Sequence, residues 1–569
     1  MRASQGLEPR SRILTLMAVV LAAYLVLFGR LVYWQAWRHA DMVTLAASYH
    51  NDTLTLPAVR GRIIDRHGAL LASNTAVYSI FASPDQISAK DRQTIGDQLG
   101  PVLGMTPDEV VVKLATTKKF VYLARRVPAT MARELDSMQL PGIGKIAETQ
   151  RIYVDGAMPG TSLAANLLGF TNDAGTGNYG VEGYYNRILG GQAGFEATVR
   201  DLANRPIVLS DRQRRDAVNG MTLQLSLDST IQVVAERALA DGVQKYQAES
   251  GSLMIMEPNT GRIVAWADVP TYNANQFAST PTSAFIDPLV SSLYEPGSVM
   301  KVVTLAGALD DHAITPDYRF KETGTAVVGG FAIHNWDNRA HGMVTMTQVL
   351  ENSLNVGAIR AEQMEGTDRF FQYLRQFGIG ATTGVDLAAE TAAPLGDLAR
   401  WKASELATAS FGQGVDATPI EMLTAVNTIA TGGKLVWPHV VDAVIDGQGV
   451  SHPVHPRVLR QVITPHAAQQ MQQMMVSVVE HGSGFAARID GFKNMIAGKT
   501  GTASIPENGG YSKQDTIGSF VGYLPADHPK FIMMVIVRKP KVLFEGAYVA
   551  APIFKTVASA LITQWQIAP

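Results

Sequence analysis

Tyr294-Glu295-Pro296-Gly297-Ser298-Val299-Met300-Lys301 is the stretch on which the reading of this chain turns. Glu295-Pro296-Gly297 breaks the chain, because proline fixes its own φ and glycine admits turns that other residues resist. A helical pattern follows over 298–310. Residues three apart share a helix face, so the spacing brings the Lys301 amine within reach of the Ser298 hydroxyl. A serine hydroxyl is a weak nucleophile until a base takes its proton. Lysine is such a base only when burial or a cationic neighbour lowers its pKa. Lys499 is the candidate neighbour. A serine near a helix start also leaves backbone N–H groups free, one of which can stabilise an oxyanion.

Two further motifs follow in order. Ser353-Leu354-Asn355 is the only Ser-x-Asn, and Lys499-Thr500-Gly501-Thr502 holds the only Lys-Thr-Gly. Taken singly, such motifs are ordinarily exposed helix faces, caps or turns. Their weight comes from three unique motifs in one order. The chain supplies its own controls. Glu322-Thr323-Gly324-Thr325 copies the third motif without its lysine and is given no role. Gly498-Lys499-Thr500 resembles the end of a phosphate-binding loop, but that motif needs glycine at 493, where Lys493 stands.

Composition narrows the alternatives. The 569 residues suggest two to four domains. Lys+Arg 48 against Asp+Glu 50 argues against a nucleic-acid binder, which needs a basic face. A hydrophobic share of 46% excludes wholesale disorder. With no cysteine there are no disulfides, thiolate metal sites or cysteine nucleophiles. No zinc-type spacing such as His-Glu-x-x-His occurs around the scattered histidines, including His334, His341, His452 and His455, so neither metal nor cofactor is expected.

Ile13 to Gly29 is an uncharged apolar run bounded by Arg12 and Arg30. At about 1.5 Å rise per residue it just crosses a hydrocarbon core, and Arg30 can snorkel, so that Leu31 to Trp34 extend it. No small-x-small cleavage site follows, which favours an uncleaved anchor. Arg2, Arg10 and Arg12 precede the run and Arg30 and Arg38 follow, placing the amino terminus in the cytoplasm and the bulk outside.

Beyond the anchor, residues 40–220 read as an irregular α+β module, with a strand at 77–81, short helices at 107–116 and 129–138, and a Gly-rich, loop-like 155–194. A charged cluster at Asp211, Arg212, Arg214, Arg215 and Asp216 marks a boundary near 205–221. After it come a strand at 223–227, a helix at 229–246 and a hairpin over 252–256 and 262–267. Helical patterns cover 345–377 and 418–430, strands 517–524 and 531–538, and a last helix 551–566. An antiparallel sheet with a helical set, an α+β fold, is the natural architecture. The expected parts are 1–36 (tail and transmembrane anchor), 37–215 and 216–569, the latter two implied by the family resemblance below to be a non-catalytic pedestal and a catalytic domain.

The three motifs together resemble those of active-site serine penicillin-binding enzymes. With the anchor and pedestal, nearly the whole chain resembles a class B penicillin-binding protein, a monofunctional peptidoglycan D,D-transpeptidase. Arg60-Gly61-Arg62-Ile63-Ile64-Asp65-Arg66-His67-Gly68, Arg151-Ile152-Tyr153 and Gly180-Val181-Glu182-Gly183 resemble the pedestal signatures, and Phe411-Gly412-Gln413-Gly414 with Thr418-Pro419 resembles the stretch between the second and third motifs. There are departures: Val154 stands where the pedestal pattern has proline, Glu421 where the family often has glutamine, and Leu354 where many members have serine or aspartate. No glycosyltransferase module precedes the pedestal, unlike in class A enzymes.

The resemblance implies a penicillin-binding transpeptidase fold and a role for each motif residue. Ser298 would attack the penultimate D-Ala carbonyl of a stem peptide, with Lys301 as base. Ser353 would relay a proton, Asn355 would hold Lys301 and the substrate amide, and Lys499 would supply positive potential. Thr500, Gly501 and Thr502 would line the substrate site, the two threonines binding its carboxylate. The backbone N–H groups of Ser298 and Thr502 would form the oxyanion hole. A neighbouring stem-peptide amine would resolve the acyl-enzyme, and β-lactams would stall it. Arg60, Asp65, Arg66 and Glu182 are expected to be structural. The implied partner is a glycosyltransferase of the shape, elongation, division and sporulation (SEDS) family, met through anchor and pedestal. The carboxyl-terminal Phe520 to Pro525 and Ala550 to Phe554 look more like the division branch than the elongation branch. A D,D-carboxypeptidase or β-lactamase, and an idle scaffold or antibiotic sensor, remain the alternatives.

Overall fold

A computed structural model describes residues 9–42, 51–199, 213–507 and 510–569. Arg2 and residues 205–212 of the boundary stretch 205–221 lie outside the described residues. The described parts of Met1–Ala58 and Gly191–Asn219 form one compact unit, and Val59–Gly190 with Gly220–Pro569 form the other.

In the first unit the apolar run is helical over Pro9–Val32 and continues as a π-helical turn, Tyr33–Trp37. Its apolar side chains are exposed, and with a mean hydropathy of 2.2 over an 18-residue window within Arg10–Trp37 the segment is long and apolar enough to cross a membrane. A three-stranded antiparallel sheet orders Asn51–Leu56, Gly194–Val199 and Gln213–Arg215 side by side.

The second unit is built on two larger sheets. A seven-stranded mixed sheet runs through Ser451–Pro453, Val441–Ile445, Thr222–Leu225, Ile63–Ile64, Leu70–Ala82 and Val121–Pro128, and Ile143–Tyr153 also pairs with Leu70–Ala82. Thr222–Leu225 pairs with Ile63–Ile64 in parallel, so this sheet crosses the expected pedestal boundary. The strand expected at 77–81 is part of Leu70–Ala82. The short helices are Pro107–Leu114, opened by a Thr106/Glu109 capping box, and Ala129–Met138.

The loop-like segment 155–194 holds three short helices, Ala165–Leu168, Gly180–Tyr184 and Asn186–Gly190. The middle one carries Glu182, which is fully buried. Its Oε2 accepts from Arg60 Nε at 2.7 Å, and its Oε1 from Arg151 Nε at 2.8 Å and Tyr153 OH at 3.2 Å. Burying a carboxylate is costly unless it is paired and bonded, and here two guanidiniums and a phenol do both. Asp65 accepts from the N–H groups of His67 and Ala69, both at 2.8 Å, and from Ser229 Oγ at 2.6 Å. Arg66 pairs with Glu257 at 2.7 Å. These pedestal-signature residues are bound into ion pairs and turns.

The second sheet is antiparallel, ordered Ile263–Val269, Ser250–Met256, Phe531–Arg538, Gly510–Leu524 and Ala497–Glu507. Ser250–Met256 and Phe531–Arg538 are near-continuous apolar runs, because helices cover both faces. Ser229–Lys245 and Ala551–Gln564 pack on one side. Met300–Asp310, Pro419–Ala430 and Pro465–His481 belong to the core on the other. Ser229–Lys245 starts at an Asp228 cap, whose carboxylate accepts from the N–H groups of Thr230 and Ile231 at 3.0 and 3.2 Å. Glu421, the departure noted above, closes a capping box with Thr418 and also accepts from Gly380 N at 3.0 Å.

Candidate active site

Ser298 lies in a 3₁₀ turn, Gly297–Val299, that runs into the helix Met300–Asp310. Neighbouring segments fix the turn. Tyr294 and Ala417 exchange backbone bonds of 3.1 and 3.0 Å, and Gly297 N donates to Gly412 O at 3.0 Å. Gly297 has φ 57° and Gly412 φ 79°, and a Cβ on Gly412 would stand 2.2 Å from the Gly297 carbonyl oxygen. Only glycine meets both demands at 412. Glu295 anchors the other flank: its Oε1 accepts from Gly414 N at 2.8 Å and from Tyr511 OH at 3.0 Å.

Lys301 is fully buried on the first turn of the helix. Its Nζ donates to Ser298 Oγ at 3.0 Å, to Ser353 O at 2.6 Å and to Asn355 Oδ1 at 2.8 Å, with Ser353 Oγ at 3.3 Å. Burial, and then the charge of Lys499, pull its pKa well below the ordinary lysine value. That is the condition the sequence demanded of a lysine base.

The helical pattern over 345–377 is not one helix. It divides into Met346–Glu351, Asn355–Glu365 and Thr367–Gln376. At the first break Ser353 takes φ 55°, a left-handed conformation uncommon for serine. This turns the second motif inward. Ser353 Oγ accepts from Lys499 Nζ at 3.1 Å while facing Lys301, and Asn355 Nδ2 donates to His334 O at 3.0 Å.

The third motif lies on Ala497–Glu507, the outer strand of the five-stranded sheet. Lys499 is fully buried, and its Nζ also donates to Thr500 O at 2.7 Å. Burial pushes its pKa down to about 7. Gly501 packs on the Ser298 turn; a Cβ there would stand 2.3 Å from Ser519 Oγ and 3.0 Å from a Val299 methyl. Thr500 is buried, its Oγ1 2.9 Å from Ser483 Oγ, and Thr502 is exposed, its Oγ1 accepting from Gly546 N at 3.2 Å. An outer strand keeps one row of backbone groups free of a neighbour, and a Cβ on Gly297 would lie 3.0 Å from Thr502 O. The mouth of the site therefore lies between the Ser298 turn and Thr502.

The structure thus brings Ser298, Lys301, Ser353, Asn355, Lys499 and Thr500 into one bonded cluster, with Gly501 and Thr502 beside it. Sequence reasoning missed Ser483, Tyr511, the His334 carbonyl and the Gly546 N–H, which no local motif marks. It also gave Glu322 no role. Glu322 is buried and accepts from Gly324 N at 2.7 Å, Asn335 Nδ2 at 2.9 Å and His341 N at 2.7 Å, fixing the loop that presents His334. A hydroxyl paired with a desolvated amine, beside a second lysine, is suited to serine acyl transfer.

Comparison with known proteins agrees with this geometry. Residues 251–559 match the penicillin binding protein transpeptidase domain family, and residues 55–225 the penicillin-binding protein dimerisation domain family. Stage V sporulation protein D of Bacillus subtilis is 30% identical, covering 98% of this chain and 86% of its own. Peptidoglycan D,D-transpeptidase FtsI of Escherichia coli is 29% identical, covering 98% of this chain and 92% of its own. The crystal structure of penicillin binding protein 3 from Mycobacterium tuberculosis, complexed with aztreonam, superposes with a TM-score of 0.70 at 25% identity, covering 90% of this chain and 98% of that one. By its paired dimerisation and transpeptidase domains, its α+β fold and its converged serine–lysine site, this chain belongs to the class B penicillin-binding proteins.

Proposed function

We propose that the chain is a serine D,D-transpeptidase that cross-links peptidoglycan stem peptides. The observation that carries this reading is the 3.0 Å contact between Lys301 Nζ and Ser298 Oγ in a buried, cationic setting. Neutral Lys301 takes the Ser298 proton as Oγ attacks the penultimate D-Ala carbonyl. The backbone N–H groups of Ser298 and Thr502 receive the oxyanion. Ser353, placed between Lys301 and Lys499, passes a proton to the leaving D-Ala amine. Asn355 holds Lys301, Lys499 supplies positive potential, and Thr500, Gly501 and Thr502 seat the substrate carboxylate. An amine from a second stem peptide then takes the acyl group and frees Ser298.

The same site accounts for β-lactam inhibition, since a penicillin acylates Ser298 and leaves no amine to depart. In this reading residues 1–36 are a cytoplasmic tail and single-pass bacterial membrane anchor, 37–215 the pedestal and 216–569 the transpeptidase domain, outside the cytoplasm. The division branch is favoured, in line with the sporulation and FtsI relatives. A SEDS-family glycosyltransferase is the proposed partner through anchor and pedestal. Turnover tests the chemistry: penicillin should leave a long-lived adduct, whereas rapid hydrolysis would indicate a β-lactamase. Exchange of residues 13–36 should reduce co-purification with the glycosyltransferase, and unchanged recovery would contradict that partner surface.

A further inference from the structure

A separate cleft of about 300 Å³ opens between the helix Asn355–Glu365 and the strands Arg319–Glu322 and Thr325–Val328. Its helix wall is Val356, Ile359, Arg360 and Gln363. That spacing places all four on one stripe of the helix. Val356 and Ile359 are buried and form an apolar floor, while Arg360 and Gln363 stand exposed at the rim. Lys321 is exposed on the facing wall.

Among the described residues neither Lys321 nor Arg360 meets a carboxylate, and Arg360 Nη2 donates to the neutral Tyr318 hydroxyl at 3.2 Å. Two unpaired cations over an apolar floor suit a ligand that brings a carboxylate and aliphatic carbon together.

The helix that walls the cleft also carries a residue of the acyl site. Its stripe begins one residue after Asn355, whose Oδ1 accepts from Lys301 Nζ at 2.8 Å. From Asn355 to Arg360 the helix rises about 7.5 Å. An extended peptide covers that distance in about two residues. A peptide whose side-chain amine reaches the Ser298 ester therefore has its own carboxylate terminus, a residue or two further on, within reach of these cations. The donor carboxylate does not compete, being assigned to Thr500 and Thr502.

We infer that this cleft seats the carboxylate end of the acceptor peptide, with Lys321 and Arg360 as its counter-charges; the inference rests on the acyl-transfer reading above. In the step it serves, the acceptor nitrogen forms a C–N bond to the acyl carbon. The ester bond to Ser298 Oγ breaks, and the proton shed by the amine returns to Oγ through Lys301.

The test uses the full chain in detergent with Ser298 acylated by penicillin, so that the donor side is filled and the label counts active sites. The probe is a dye-labelled peptide with a lysine amine one residue before a terminal carboxylate, compared with its carboxyl-terminal amide by fluorescence anisotropy. The carboxylate form should bind about tenfold more tightly than the amide. The difference should shrink in K321Q and in R360Q and vanish in the double variant. Equal binding of the two peptides to wild type, no binding of either, or a difference that survives the double variant would overturn the inference. Failure of penicillin to acylate Ser298 would instead contradict the function proposed above.

Discussion

Lys499 Nζ donates to Ser353 Oγ across 3.1 Å, joining two motifs 146 residues apart in the chain. The same hydroxyl faces Lys301 Nζ at 3.3 Å, so a single serine lies between two buried amines. Burial disfavours a proton on both amines, and the charge of Lys499 adds to that effect at Lys301.

The pH dependence of acylation follows. Burial first, and Lys499 second, hold the pKa of Lys301 low. Acylation by a penicillin should fall on acidification as Lys301 takes up a proton. Lys499→Gln removes the neighbouring charge, so the acid limb should move to higher pH, whatever happens to the maximal rate. Stopped-flow acylation across the acid and neutral range measures this. Stability changes with a definite sign as well. Lys499 falls from 10.5 to about 7 on folding, so between those values the unfolded chain binds more protons, and stability rises with pH. K499Q should flatten that rise in pH-dependent denaturation.

Gly412 controls the Ser298 turn by shape. Gly412→Ala would put a methyl 2.2 Å from the Gly297 carbonyl oxygen at a positive φ. The turn must move, and misplacement of about 1 Å costs on the order of a hundredfold. Penicillin acylation should fall by about that factor while the far-ultraviolet circular dichroism spectrum is retained.

Glu182 tests the pedestal signatures as structural elements. Glu182→Gln leaves two guanidiniums, of Arg60 and Arg151, without their buried counter-charge. Removing one partner of a buried ion pair costs about 3–5 kcal/mol. Thermal unfolding of the full chain should shift downward, and the penicillin adduct formed at low temperature should remain on Ser298.

The candidate cluster was legible because its residues are local in pairs. Ser298 and Lys301 share one helix turn, and the two partner motifs are unique in the chain. The break at Ser353 was not legible, since periodicity sees apolar spacing and not a left-handed φ, and Gly366 (φ 90°) ended the next helix in the same concealed way. The segment 155–194 read as loop because its helices are four or five residues long, too short to show a period. The helices Asp91–Leu103 and Pro465–His481 went unread; the first has an interior Pro101, and the second carries a run of Gln and Met. Tyr511 and Ser483 reach the site only through pairings distant in sequence, which no motif records.

The central claim is that Ser298 is the nucleophile of a lysine-assisted acyl transfer. Intact-mass and peptide-mapping mass spectrometry of the chain treated with fluorescent penicillin tests it most directly. The account predicts one penicilloyl adduct per chain, on Ser298, absent from a folded Ser298→Ala variant. A label that persists in that variant, or that maps to another residue, would contradict it.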